Sequence, residues 1–232
     1  VTELVSYELN DGIATIVLNN GKANALSHEV FEALNKALDQ AEQDKAVVIL
    51  TGQPGVFSAG YDLKEMQKGP QEAAALVKVG STLTRRLAAF PLPVIGACSG
   101  HAIAKGAFIL LSVDHRIGVE GPFKLGLNEV AIGMTMHHAG IEIARHRLHP
   151  PHFYRSVVNA EIYNPEGAVE AGYLDEVVGQ DRLLERASAL ANQFKQLNMR
   201  AHRETKVKAK AEYLELLDRC IQQDAENLGL KG

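Results

Sequence analysis

The chain has 232 residues, of which 46 % are hydrophobic and 22 % charged, enough apolar material for one substantial core plus an appended element. A formal net charge of −4, with the only basic cluster at residues 200–210 on a helix-like face, argues against a nucleic-acid footprint. No stretch approaches the ~20 apolar residues of a membrane span, Val1-Thr2-Glu3-Leu4-Val5 lacks a signal-peptide pattern, and Cys98 and Cys220 have no metal-like spacing, so a reducing cytoplasm is expected.

In chain order, residues 5–9 and 13–18 flank Asn10-Asp11-Gly12, which predicts a hairpin. Helical spacing of Val30, Phe31, Leu34, Ala37, Leu38 and Ala41 follows, with Ser27 as its N-cap. Residues 46–50 read as a core strand, and 71–89 as a helix stopped by Pro91 and Pro93. A second core strand at 94–98 leads to an almost wholly apolar helix over 105–113, then a short strand over 116–119. Asn164-Pro165 starts a helix that Gly172 ends. From Asp181 the pattern is purely helical and amphipathic, through Leu183, Leu184, Ala187, Leu190, Ala191 and Phe194 to Tyr213, Leu214, Leu216 and Leu217. Strand–helix alternation up to about residue 178 predicts an α/β core.

Two stretches stand out chemically. Phe57-Ser58-Ala59-Gly60-Tyr61-Asp62 and Ser99-Gly100-His101-Ala102-Ile103-Ala104-Lys105-Gly106 each join an apolar strand to a helix. Small residues there leave backbone N–H groups uncovered, and a helix start has no internal acceptors for them. Taken singly, each is equally an ordinary tight turn. Converging on one point, they would form a pair of donors for negative charge on a carbonyl oxygen.

The first stretch, continued through Leu63-Lys64-Glu65-Met66, resembles the signature loop of the crotonase (enoyl-CoA hydratase/isomerase) superfamily. Residues 93–102 resemble that family's second core strand and turn, Leu125-Gly126-Leu127-Asn128-Glu129-Val130 its glutamate loop, and residues 164–178 its late helix–strand unit. Four motifs in order are far more specific than one. The resemblance implies a spiral of β-β-α units over residues 1–180, holding a CoA-thioester site. It also implies a C-terminal helical region, 181–232, that builds a homotrimer or a dimer of trimers.

On this resemblance the oxyanion donors are the backbone N–H groups of Tyr61 and Lys105. Lys105 departs from the glycine usual at its position; its side chain points to solvent, to the CoA phosphates or to Glu129. Glu129 matches the glutamate that shuttles the proton, and Leu127, Val130 and Ile132 around it would raise its pKa. By the same resemblance Lys22 lies near the CoA phosphates, and Ala59, Gly60, Tyr61 and Leu63 cradle the adenine and pantetheine. Hydratases carry a second glutamate where this chain has Phe108, which lines the substrate site instead. His137, beside His138, stands where relatives have a Pro/Gly-rich turn and is either a substitute acid/base group or a packed histidine.

The expected activity is a shift of the double bond of 3-enoyl-CoA to 2-enoyl-CoA by one glutamate base. No metal and no separate cofactor is expected, coenzyme A being part of the substrate, and neither nucleic acid nor membrane is an expected partner. The alternatives are a hydratase that uses Glu129 with His137, and a non-catalytic acyl-CoA-binding trimer.

Overall fold

The computed structural model describes residues 3–227, so Val1 and Thr2 of the N-terminal stretch and residues 228–232 of the expected helical region lie outside it. β1 (Val5–Asn10) and β2 (Ile13–Leu18) form the hairpin, with Asp11 and Gly12 at φ 46° and 73°, the pair of positive values a primed turn needs. α1 (His28–Gln43) begins at Ser27, whose hydroxyl oxygen accepts the Val30 N–H at 3.2 Å, and its apolar stripe is buried as its spacing requires.

The next segments come in strand–strand–helix passes. The first is β3 (Val47–Thr51) and β4 (Gly55–Ser58), then α2 (Leu63–Met66) and α3 (Pro70–Ala88). The second is β5 (Val94–Cys98), β6 (Gly100–Ile103) and α4 (Lys105–Ser112). The third is β7 (His115–Val119), β8 (Leu125–Gly126), α5 (His138–Arg147) and α6 (Pro150–Val157). β9 (Ile162–Tyr163), α7 (Pro165–Ala171) and β10 (Glu176–Val178) follow. The chain ends in α8 (Leu183–Phe194), α9 (Met199–Ala209) and α10 (Ala211–Asn227).

Each pass places one strand in each of two sheets. The larger has the order β1-β2-β3-β5-β7-β10, parallel except for the first hairpin; the smaller has the order β4-β6-β8-β9. This is the spiral of β-β-α units that the resemblance implies. Every residue of β3 and β5 is buried, as their unbroken apolar runs demand of strands covered on both faces.

The tail packs on this core. α8 lays Leu183, Ala187, Leu190 and Ala191 on Val47, Ile49, Ile95 and Ile117 of the large sheet. α10 lies along α3 and α5 and buries Tyr213, Leu214, Leu217 and Cys220. α9 is pinned by Lys206, whose Nζ donates to the Phe90 and Leu92 carbonyls at 2.8 and 3.1 Å and to Asp114 at 2.7 Å. The amphipathic pattern that begins at Asp181 is therefore largely spent within the chain, leaving Leu184, Leu197 and Val207 as the large apolar side chains of the described tail that stay exposed. Leu228 falls outside the described residues.

Candidate active site

The two small-residue turns meet. Gly60 has φ +100°, and a β-carbon there would stand 3.4 Å from the Lys105 backbone nitrogen and 3.1 Å from Ala104 Cβ. Only glycine serves both the conformation and the approach. In the first turn, the Leu26 N–H donates to the Gly60 carbonyl at 2.9 Å and the Asp62 N–H to the Leu26 carbonyl at 3.0 Å. Backbone alternation then turns the Tyr61 N–H away from Leu26. In the second turn, the Ala104 N–H is spent on the Gly126 carbonyl at 2.9 Å, and Ala104 itself is held at φ 51°, ψ −120°, outside the regions an alanine favours. Lys105 opens α4, where an N–H has no acceptor in the preceding turn.

The Lys105 side chain points inward, so neither the solvent-facing nor the phosphate-facing expectation holds. It is fully buried, with Nζ donating to Thr84 Oγ1 at 3.2 Å and lying 5.9 Å from the Tyr61 ring and 5.8 Å from the Phe108 ring. Gly80 on α3 makes the room: a β-carbon there would stand 2.5 Å from the Tyr61 hydroxyl and 3.0 Å from Lys105 Cε. Burial lowers the Lys105 pKa to about 7, against the pull of the Glu129 charge, which raises it.

Glu129 starts a short 3-10 turn, with its carbonyl accepting the Ile132 and Met134 N–H groups at 3.2 and 2.9 Å. Its carboxyl turns inward, and Oε2 is enclosed with no hydrogen-bond partner. Burial pushes its pKa up to about 7; its own backbone N–H and the Lys105 charge act in the opposite sense. The raised pKa matches expectation but not by the expected neighbours, because Val130 and Ile132 are 44 % and 56 % exposed and only Leu127 is buried. A carboxyl poised near neutrality suits proton transfer in both directions.

Phe108 is fully buried and meets the His137 ring edge-on, at 5.5 Å between centroids. His137 Nε2 is enclosed and unpartnered. Burial, followed by the Lys105 and His138 charges, lowers its pKa to about 3, so the imidazole is neutral rather than the near-neutral titrating group its residue type predicts. His138 is exposed.

Lys22 and Ala59 are exposed on adjoining turns, tied by the Ala59 N–H donating to the Ala23 carbonyl at 2.9 Å, and Leu63 is 65 % exposed just beyond. The staple is Asn24, at φ 48°, whose side-chain amide donates to the Leu18 and Phe57 carbonyls at 2.9 and 2.8 Å. Asn24 carried no signal beyond its place in a Gly-Lys-Ala-Asn turn. Thr84 and Gly80 likewise read as ordinary helix positions. Asp224 of α10 was also unforeseen; it accepts the His138 and Ala139 N–H groups at 2.8 and 2.9 Å and caps the helix that His137 leads. Among the described residues, no cluster of His, Cys, Asp and Glu is arranged to hold a metal ion. No helix described is long and apolar enough to cross a membrane. A groove of about 1010 Å³ opens between the end of α1, Pro91–Leu92 and α9, and none of the site residues lines it.

A family model described as enoyl-CoA hydratase/isomerase matches residues 8–230. A probable enoyl-CoA hydratase of Bacillus subtilis (strain 168) is 31% identical over 196 residues, covering 82% of this chain and 75% of that protein. The mitochondrial enoyl-CoA delta isomerase 1 of Mus musculus is 30% identical over 196 residues, covering 82% and 68%. A solved structure of an enoyl-CoA hydratase/isomerase family protein from Pseudomonas syringae superposes with a TM-score of 0.96 at 58% identity, covering 97% of this chain and 98% of that one. With motifs, spiral and paired turns in agreement, the chain belongs to the enoyl-CoA hydratase/isomerase family of the crotonase superfamily.

Proposed function

We propose that the protein is an isomerase of 3-enoyl-CoA, with Glu129 as its single base. The thioester oxygen would accept the Tyr61 and Lys105 N–H groups. Glu129 would then take a proton from C2, and the electrons would move to that oxygen as an enolate. Returning the proton at C4 leaves the double bond between C2 and C3. One oxyanion donor of this kind is worth about 3 kcal/mol in the transition state. The transfer is redox-neutral, and coenzyme A enters only as half of the thioester. Its phosphates would meet Lys22, and its adenine and pantetheine would lie along Ala59, Gly60 and Leu63.

The observation that carries this reading is Phe108, an enclosed aromatic ring where a hydratase needs a second carboxyl. Water addition gains from two carboxylates, one to orient the water and one to deliver its proton, whereas a double-bond shift needs one. The similar proteins bear both names, hydratase and delta isomerase. A hydratase using His137 would ask a proton of an imidazole that burial keeps neutral.

The test is the purified protein assayed with 3-enoyl-CoA and 2-enoyl-CoA. Isomerisation faster than hydration supports the proposal; dominant hydration, lost ~100-fold in His137→Ala, would favour the hydratase; tight binding without turnover would leave an acyl-CoA-binding protein. We also propose a homotrimer or a dimer of trimers, with the exposed Leu184, Leu197 and Val207 at subunit contacts. A monomeric mass in light scattering would contradict it.

A further inference from the structure

The buried face of α3 carries polar groups that its neighbours do not satisfy. Ser81 is 2 % exposed, and its Oγ is enclosed with no hydrogen-bond partner. On the same face, three residues on, the Thr84 hydroxyl donates to the Ser81 carbonyl at 2.9 Å. That leaves it a lone pair for Lys105 Nζ, at 3.2 Å. Nζ has no other acceptor, although an ammonium carries three donors, and no carboxylate stands at ion-pair distance among the described residues. The Tyr61 hydroxyl joins the same cluster. A β-carbon on Gly80, the residue before Ser81, would meet that hydroxyl at 2.5 Å and Lys105 Cε at 3.0 Å. Burial keeps the phenol protonated, and its bond to the Val77 carbonyl is long, at 3.4 Å.

Lys206 shows what a satisfied buried lysine looks like in this chain. Its Nζ meets two carbonyls and the Asp114 carboxylate, all within 3.1 Å. Enclosed donors without acceptors are costly, and an enclosed ammonium most of all. Around Gly80, Ser81, Tyr61 and Lys105 have donor capacity left over and no anion of the described residues to take it up. The Lys105 pKa of about 7 is the behaviour of a buried cation that lacks its counter-ion.

The cluster lies where an acyl chain would lead. The two amides that would hold the thioester oxygen belong to Tyr61 and Lys105 themselves. Coenzyme A would leave that point along the exposed Ala59 and Leu63. The acyl half would then run inward, past the enclosed Glu129 oxygen, toward the side chains of the same two residues. Nζ stands 5.9 Å from the Tyr61 ring and 5.8 Å from the Phe108 ring, the walls such a chain would follow. An ammonium on its four-carbon stem and the terminal carboxylate of an acyl group of about five or six carbons reach about equally far from the shared N–H contact.

We infer that Ser81, Tyr61 and Lys105 form the recognition site for the far end of the acyl group, and that the substrate is a short enoyl thioester ending in a carboxylate. The inference rests on the reading of the Tyr61 and Lys105 amides as the thioester site. One carboxylate, with about four acceptor positions on its two oxygens, takes up the ammonium, the serine hydroxyl and the phenol together. A methyl-ended chain of the same length leaves all three unmet and sets hydrocarbon against the ammonium. Sites built on hydrogen bonds reject an analogue that lacks the bonding group, because their own buried groups are then left unpaired.

The experiment is isothermal titration calorimetry of the intact chain with four saturated thioesters, which bind without isomerising. They are glutaryl-CoA and adipyl-CoA, and the length-matched pentanoyl-CoA and hexanoyl-CoA. In at least one pair the wild type is expected to bind the carboxylate-ended member about tenfold or more tighter. Lys105→Met, which fills similar space without charge, should abolish that preference and still bind hexanoyl-CoA. Ser81→Ala should reduce the preference a few-fold. Equal or tighter binding of the methyl-ended thioesters by the wild type overturns the inference and assigns the spare donors to buried water. A preference unchanged in Lys105→Met overturns it as well. The wild-type comparison needs no variant, so with Ser81→Ala it decides the matter even where Lys105→Met does not fold. A protein that isomerises methyl-ended 3-enoyl-CoA and shows no preference loses this inference and keeps the proposed activity. A preference without isomerisation keeps the recognition site and loses the activity, and failure to bind any of the four overturns both.

Discussion

Gly60 and Lys105 set the spacing of the site between them. A side chain on Gly60 would press at 3.3 Å on the Ile103 carbonyl and at 3.4 Å on the Lys105 nitrogen, so the glycine fixes how closely the two donor turns approach. At φ +100°, Gly60→Ala is also strained in its own backbone. Steady-state kinetics should show kcat/KM for 3-enoyl-CoA reduced about 100-fold or more, with a far smaller change in acyl-CoA affinity. A variant with wild-type kcat/KM would mean that the turns do not need this spacing.

Ala104 bears the strain that aims Lys105. Its φ of 51° with ψ −120° suits glycine, and forcing alanine there costs on the order of 1–3 kcal/mol. Ala104→Gly should raise stability by about 1 kcal/mol in urea denaturation, after the entropy that glycine gains in the unfolded chain is deducted. Unchanged or lower stability would show that the alanine is unstrained.

As the proposed base, Glu129 sets the pH dependence expected of the activity. Its folded pKa of about 7 is raised above the ordinary carboxylate value, and the base must be ionised in the free enzyme. So kcat/KM should be level above pH 7 and fall about tenfold per unit below it. His137, neutral down to about pH 3, should add no limb in that range. The same shift acts on stability. Below about pH 4.5 the carboxyl is neutral in both folded and unfolded states, whereas above about 7 it is ionised in both and costly in the folded one. Glu129→Gln should therefore raise Tm by a few degrees at pH 8 and leave it unmoved near pH 4.

Much of this was legible in the sequence, and what was not has a physical cause. The two Gly-containing turns and Glu129 were found because their chemistry is carried by short contiguous motifs. The hairpin, β3, β5, α3 and α4 lie within a residue or so of their expected limits, since their periodicity and Pro or Gly punctuation are local. The end of β4 and the whole of β6 fall in the stretches 57–62 and 99–106, whose sequences predict strand-to-helix turns, because strands of four residues leave little periodic trace. α5 and α6 were also unforeseen: their histidine- and arginine-rich sequences hide a narrow buried face. The direction of the Lys105 side chain depends on Gly80 and Thr84, twenty or more residues earlier. Nothing near Lys105 in the chain reveals that contact.

Asp224 links the far end of the chain to the site. Its carboxylate accepts both the His138 and Ala139 N–H groups, at 2.8 and 2.9 Å, where the α5 dipole favours negative charge. Asp224→Ala should lower stability by about 1–2 kcal/mol in thermal or urea unfolding. A loss below a few tenths would show that water replaces the cap.

In the proposed reaction Glu129 removes and returns a proton on a thioester held by the Tyr61 and Lys105 amides. The most direct measurement is the conversion of 3-enoyl-CoA in deuterium oxide, with label at C2 and C4 followed by NMR or mass spectrometry for the wild type and for Glu129→Gln. The wild type is expected to form 2-enoyl-CoA and to exchange label at the reacting carbons. Glu129→Gln should bind the acyl-CoA nearly as well yet neither exchange nor isomerise it, because the two amides remain while the base is gone. Exchange by Glu129→Gln at the wild-type rate would contradict it and assign the proton transfer to another group.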